Sequence, residues 1–174
     1  YGEDRFCRAA AERIKELCTA PEAQVHFLTG GTQANLTVIA AALRPYEGVI
    51  AAESGHIACH ETGAIEASGH KVLTLPARDG KISAGQVERL CQEHAEDPVK
   101  EHTVKPGMVY LSNPTELGTL YRLEELEELS QVCRKRGLTL YLDGARLGYG
   151  LAARGNDVSL PDIARLCDAF YLGG

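Results

Sequence analysis

The sequence predicts an α/β fold, a mainly parallel sheet sandwiched by helices, and two observations carry that prediction. Helical and strand-like hydrophobic patterns alternate along all 174 residues, with no linker, internal repeat or low-complexity tract between them. The composition, 44% hydrophobic and 24% charged with seven prolines, is that of one soluble globular domain and leaves no room for a disordered or collagen-like chain.

Each element follows from its local pattern. The first helix spans about Asp4 to Cys18, with Phe6, Ile14, Leu17 and Cys18 turned inward. The short apolar run Val25-His26-Phe27-Leu28 reads as a strand that meets Thr29-Gly30-Gly31-Thr32, and a helix of small residues, Gln33 to Leu43, follows at once. Gly48 to Ala52 is the next strand; the segment with His56, His60 and Glu61 is helical until Gly69, and Lys71 to Leu75 is again a strand. Beyond the turn Arg78-Asp79-Gly80-Lys81, Ser83 and Gln86 form a capping box for a helix with Val87, Leu90, Cys91 and His94 on one face.

Val109-Tyr110-Leu111 is a buried strand that runs into Ser112-Asn113-Pro114. The helix from Leu123 to Arg136 has the clearest pattern, with Leu123, Leu126, Leu129 and Val132 or Cys133 at helical spacing. Glutamates sit early in it, Arg134, Lys135 and Arg136 late, and Gly137 is the stop. Thr139 to Leu142 is a strand ending at Asp143-Gly144-Ala145-Arg146. After a glycine-containing loop, Ser159-Leu160-Pro161-Asp162 opens a short helix and Ala169 to Leu172 forms the last strand.

Charge and composition narrow the function. With 18 Lys plus Arg against 24 Asp plus Glu, the net charge is −6, which argues against nucleic acid as a partner. No apolar run approaches the ~18 residues of a membrane helix and no leader opens the chain, so a cytoplasmic protein that does not enter a membrane is expected. The six cysteines include no C-x-x-C pair and read as reduced core thiols. Because the chain starts at Tyr1 and its single methionine is Met108, it is expected to be an interior piece of a larger protein, truncated at both ends.

In open parallel sheets ligands gather outside the carboxyl ends of the strands, and four such places are chemically loaded. Thr29-Gly30-Gly31-Thr32 at a helix entry suits a phosphate-sized anion met by freed backbone amides, the helix dipole and the Thr32 hydroxyl, or is a plain turn with a Thr cap. His56 could stack on a flat ligand, act as an acid or base, form half of a metal site with His60, or be an ordinary histidine. Asp143, a carboxylate at the end of a buried strand, needs a partner: either Arg146 or a cationic ligand. Gly148-Tyr-Gly150-Leu-Ala-Ala153 spells G-x-G-x-x-A but begins too far after its strand to be a dinucleotide turn. A ligand with a phosphate, a flat aromatic face and a protonated ring nitrogen would use the first three places together, and pyridoxal phosphate has all three.

These residues also carry a resemblance. From Tyr1-Gly-Glu-Asp4 through LTGGTQANL, ESGHIACHETGA, SNPTELGTLY and YLDGARLGYGLAARG to DAFYLGG, the sequence resembles the large cofactor-binding domain of the threonine aldolase and β-eliminating lyase family. The resemblance implies the large-domain core of the aspartate-aminotransferase fold (fold type I), with residues 1–174 a partial large domain and the small C-terminal domain outside the chain. It implies pyridoxal 5'-phosphate as cofactor, with Gly31 and Thr32 on its phosphate, His56 on its ring, Asp143 on its ring nitrogen, and Arg146 on its phenolic oxygen or the substrate. His56, Asp143 and Arg146 are then the catalytic candidates. In the family the lysine that binds the cofactor covalently follows the last motif. Here that point lies two residues beyond Gly174, and none of Lys15, Lys71, Lys81, Lys100, Lys105 and Lys135 takes its place.

The implied reaction is cleavage of a β-hydroxy-α-amino acid, such as threonine or allo-threonine to glycine and acetaldehyde, by a homodimer or homotetramer. Elimination of a β-substituent by a lyase of the same fold, or phosphate-ligand binding by a non-catalytic α/β module, are the alternatives.

Overall fold

A computed structural model describes residues 2 and 4–173. Among them the helices are α1 (Arg5–Cys18), α2 (Gly31–Ala42), α3 (His56–Cys59), α4 (Ala64–Ala67), α5 (Ala84–Glu96), α6 (Leu123–Arg136), α7 (Leu147–Ala152) and α8 (Leu160–Leu166). The strands are β1 (Glu47–Ala52), β2 (Val72–Leu75), β3 (Lys105–Ser112), β4 (Thr139–Asp143) and β5 (Ala169–Phe170). All pair in parallel in the order β2-β1-β3-β4-β5. Chain order therefore reverses at β1, with β2 on one side and β3 on the other, and in such sheets a crevice opens above that point.

Side chains alternate across the sheet with a period of two, and this alternation sorts the core. Ile50, Ala52, Val109, Leu111, Leu140 and Leu142 face one way and pack with α5, α6 and α8 through Val87, Leu126, Leu129, Cys133 and Ile163. Val49, Ala51, Met108, Tyr110 and Tyr141 face the other way, under Ile39 of α2, Ile57 of α3 and Ile65 of α4. Helices thus cover both faces, as the alternating pattern requires. The register places Ser112 beside Asp143, two residues on from Tyr110 and Tyr141, so all four share the α2 face.

The end signals act as read. Ser83 and Gln86 make both bonds of a capping box, as do Ser159 and Asp162, and Gly137 closes α6 in the left-handed region at φ 68°. At the α5–α6 contact Glu88 accepts from Arg136 Nε at 2.8 Å and from Lys135 Nζ at 2.7 Å. The Arg136 guanidinium, and after it Lys135, hold the Glu88 carboxyl down at about 2 against an ordinary 4.5. The pair therefore contributes stability above pH 4.5 that is lost as the pH falls toward 2. Glu88→Gln is expected to be less stable than the wild type near neutrality, the difference vanishing in that acid window. Urea midpoints measured across the window check it, and a pH-independent difference overturns it.

Four expectations are corrected. The segment from His56 to Gly69 is not one helix but splits into α3 and α4, because Thr62 and Gly63 between them take left-handed φ values of 56° and 74°. Val25–Leu28 is extended but pairs with none of the five strands, and His26 and Leu28 are exposed, so this short apolar run stays outside the sheet for want of a ladder partner. In α1 only Cys18 is buried, while Phe6 is 70% and Leu17 45% exposed, because the helix lies away from the sheet and packs chiefly on α8. The final strand holds only Ala169 and Phe170, and the glycine-containing loop before it includes α7. There Gly150 is needed for contact, since a Cβ would lie 2.8 Å from Pro114 Cδ.

All six cysteines are unpaired, and burial pushes the thiols of Cys133 and Cys167 up to about 12, which makes them inert packing groups. Among the described residues no helix is long and apolar enough to cross a membrane.

Candidate active site

The residues singled out from sequence converge above the carboxyl ends of β1, β3 and β4. Gly30 caps α2, and Gly31 and Thr32 form its first turn, where backbone N–H groups have no intrahelical acceptor. Gln33 folds back to brace this turn, its Oε1 accepting from the Thr29 amide at 3.0 Å and the Thr29 hydroxyl at 2.7 Å. Gly31 lets Tyr171 come close: a Cβ there would lie 2.7 Å from the Tyr171 hydroxyl and push that ring aside.

Asp143 ends β4 and is 4% exposed. Its Oδ2 accepts from the Tyr110 hydroxyl at 2.5 Å and from Asn35 Nδ2 at 3.1 Å, and its Oδ1 accepts from the Ala145 amide at 2.9 Å. Arg146 is not its partner. The guanidinium lies 3.7 Å from Glu116, so the internal ion pair that would have made Asp143 purely structural does not form. The Tyr110 hydroxyl, the Asn35 amide and the Ala145 N–H are all neutral donors, so among the described residues no cation is paired with this carboxylate.

Burial, with Asp143 adding to it, pushes the hydroxyls of Tyr110, Tyr141 and Tyr171 well above the ordinary tyrosine value, so all three stay protonated and can donate.

His56 opens α3 directly after β1 and is half exposed, with a side-chain exposure of 37%. Its Nδ1 lies 2.9 Å from Glu61 Oε1, and its backbone amide donates to Glu116 Oε1 at 3.2 Å, which ties the end of β1 to the loop after β3. Ser112 donates to the same Glu116 oxygen at 2.7 Å. His60 stands 5.5 Å from His56, ring centre to ring centre, and among the described residues no three His, Cys, Asp or Glu side chains form a metal-sized group. Beyond Glu116 and Arg146 an open cleft of about 440 Å³ continues past Pro114, Leu120, Tyr149 and Arg154.

Gly31, Thr32, His56, Asp143 and Arg146 are thus brought to one end of the sheet, but the groups that connect them were not read from sequence. Asn35, Glu61, Tyr110, Tyr141 and Glu116 supply the hydrogen bonds. Two signals were available. Tyr110 and Ser112, and Tyr141 and Asp143, are polar groups at strand spacing inside apolar runs, and Asn35 stands one helical turn after Gly31 on the buried side of α2.

The donor set suits a ligand of three parts: backbone amides at a helix start for an anion, an imidazole for a ring face, and a buried carboxylate free of cations for a protonated nitrogen. Such a sheet, covered by helices on both faces, has the aspartate-aminotransferase type of fold (fold type I). The aromatic aminotransferase of Pyrococcus horikoshii shares the fold over 91% of this chain and 40% of its own, with a TM-score of 0.70 at 17% identity.

The chain belongs to the β-eliminating lyase family, whose profile matches residues 1–174. It is 51% identical to the threonine aldolase of Leishmania major, whose structure superposes with a TM-score of 0.94 over 99% of this chain and 49% of that one. The low specificity L-threonine aldolase of Pseudomonas aeruginosa is 32% identical over 89% of this chain and 44% of its own length. The chain therefore spans about half the length of the relatives it matches.

Proposed function

We propose that the full-length protein containing this chain cleaves a β-hydroxy-α-amino acid, threonine or allo-threonine, to glycine and an aldehyde, with pyridoxal 5'-phosphate bound at this site. The observation that carries the reading is Asp143: a buried carboxylate at a strand end, aimed by three neutral donors and paired with no cation among the described residues. When bound, the cofactor supplies an electron sink for the carbon left behind as a carbon–carbon bond breaks.

In this reading the amides of Gly31 and Thr32 hold the phosphate, helped by the α2 dipole. His56 lies against the ring and takes the proton of the substrate hydroxyl or orients a water to do so. Asp143 keeps the ring nitrogen protonated through charge and position, and Arg146 meets the phenolic oxygen or the substrate. Residues 1–174 are the large domain, and covalent attachment falls to a lysine outside this chain. The reading includes a cytoplasmic homodimer or homotetramer. Six unpaired cysteines and the exposed apolar side chains of Phe6, Leu117 and Tyr149 support it.

Steady-state assays of the full-length protein with L-threonine, L-allo-threonine, L-serine and L-cysteine test it. Aldehyde released from a threonine isomer, with cofactor absorbance in the protein, is expected. No aldehyde from either isomer overturns the reading, and turnover confined to cysteine would transfer the protein to the lyases that eliminate a β-substituent.

A further inference from the structure

Glu61 has no place in the reaction as described so far, yet its carboxylate is among the most deeply buried polar groups of the chain, with a side-chain exposure of 0%. Burying a carboxylate costs several kcal/mol unless donors meet it, so its contacts are informative. Oε1 lies 2.6 Å from Asn35 Nδ2 and 2.9 Å from His56 Nδ1, while Oε2 is buried with no partner among the described residues.

The direction of each bond follows from what carboxylates can do. Asn35 touches two of them, Glu61 and Asp143, through one atom, and carboxylates only accept, so that atom is the amide nitrogen. Asn35 Oδ1 is then an acceptor, and the Tyr141 hydroxyl donates to it at 2.8 Å, which fixes the amide against rotation. Glu61 Oε1 is likewise a carboxylate oxygen that only accepts, so it takes a hydrogen bond from His56 Nδ1 at 2.9 Å in addition to the one from Asn35.

We infer that Glu61 is a positioning residue that holds the neutral His56 ring in its Nδ1–H tautomer, so that Nε2 presents the lone pair to the site. A free neutral histidine favours the opposite tautomer, with the proton on Nε2, and could then only donate from that edge. Nε2 has no hydrogen-bond partner among the described residues, and the ring is half exposed on the side of the site. Asn35 extends the constraint, because the same amide that sets Glu61 also sets Asp143. The tautomer stands on geometry alone; its catalytic consequence rests on the aldol cleavage proposed above, for which it supplies the proton acceptor.

Nitrogen NMR of the full-length protein labelled in its histidine rings, recorded without cofactor at alkaline pH, reads the tautomer directly. His56→Asn identifies the signals. The wild type is expected to show a protonated Nδ1 and a bare Nε2 at His56. Glu61→Gln should preserve that pattern through its amide oxygen, and Glu61→Leu should reverse it. With substrate, Glu61→Leu is expected to lower kcat about ten- to a hundredfold with KM changed less than about threefold, and Glu61→Gln to recover most of the loss. A wild-type ring protonated on Nε2, or an unchanged tautomer in Glu61→Leu, overturns the inference. If Glu61→Leu does not fold, the wild-type spectrum decides alone. A wild type with the Nδ1–H ring but no aldehyde product would refute the aldolase reading and leave the tautomer standing.

Discussion

Asp143→Asn is expected to lower turnover of the full-length enzyme on the order of 10²-fold or more while the fold survives, the scale on which single charges act in preorganised sites. The two halves of that prediction have different causes. Turnover falls because a neutral amide no longer holds a proton on a ring nitrogen. The fold survives because the loss is local.

Oδ1 accepts from the Ala145 amide and Oδ2 from Tyr110 and Asn35, so an asparagine sets its NH₂ either against the Ala145 amide or against both Tyr110 and Asn35. The Tyr110 hydroxyl can turn and accept, but the Asn35 amide and the Ala145 N–H cannot. One unpaired buried donor costs about 1–3 kcal/mol, against a total stability of about 5–15 kcal/mol. Circular dichroism and urea unfolding check the fold, and steady-state kinetics the turnover. Asp143→Asn with turnover near that of the wild type would remove the central residue of the proposed site.

Gly144→Ala is expected to destabilise the protein by about 3 kcal/mol and to abolish cofactor binding with it. A Cβ on Gly144 would overlap the Tyr171 carbonyl oxygen and stand 3.1 Å from the Leu147 Cβ. The chain cannot move aside cheaply. Gly144 O accepts from the Gly173 amide at 3.0 Å and Leu142 O from the Tyr171 amide at 3.2 Å, so the backbone on either side of Asp143 is stitched to the segment that carries Tyr171. Gly148→Ala is the control, since a Cβ there meets nothing within 4 Å, and it should be neutral or slightly stabilising in α7. Denaturant midpoints of both variants check this, and Gly144→Ala within about 0.5 kcal/mol of wild type would sink the account.

Much of the architecture was legible because it is written in short-range signals. The α6 pattern from Leu123 to Cys133 and the capping pairs Ser83–Gln86 and Ser159–Asp162 each span one or a few helical turns, and each acts in the structure as read. Where a local pattern failed, the missing information was a neighbour. Val25–Leu28 is an apolar run like a strand's but pairs with no strand of the sheet, and the apolar residues of α1 lie where little of the molecule packs over them.

The site divides in the same way. Its reactive groups could be named because each directly follows a strand or opens a helix, positions that a parallel sheet brings to one end: Gly31 and Thr32, His56, and Asp143 with Arg146. Their mutual bonding could not. Asn35 meets Glu61 across 26 residues and Asp143 across 108, and no periodicity within a window of one element reports on such pairs.

By itself, then, the sequence determined the layered parallel sheet, the ends of its helices, and which chemistry stands at the carboxyl edge, since all of these follow from propensity and spacing within one or two elements. The tertiary structure alone decided who pairs with whom: that Arg146 turns to Glu116 and leaves Asp143 to neutral donors, and that Asn35 joins Asp143 to Glu61 and so to His56. The physical reason is that a buried polar group must find its partner wherever the packed core brings one, however distant in the chain.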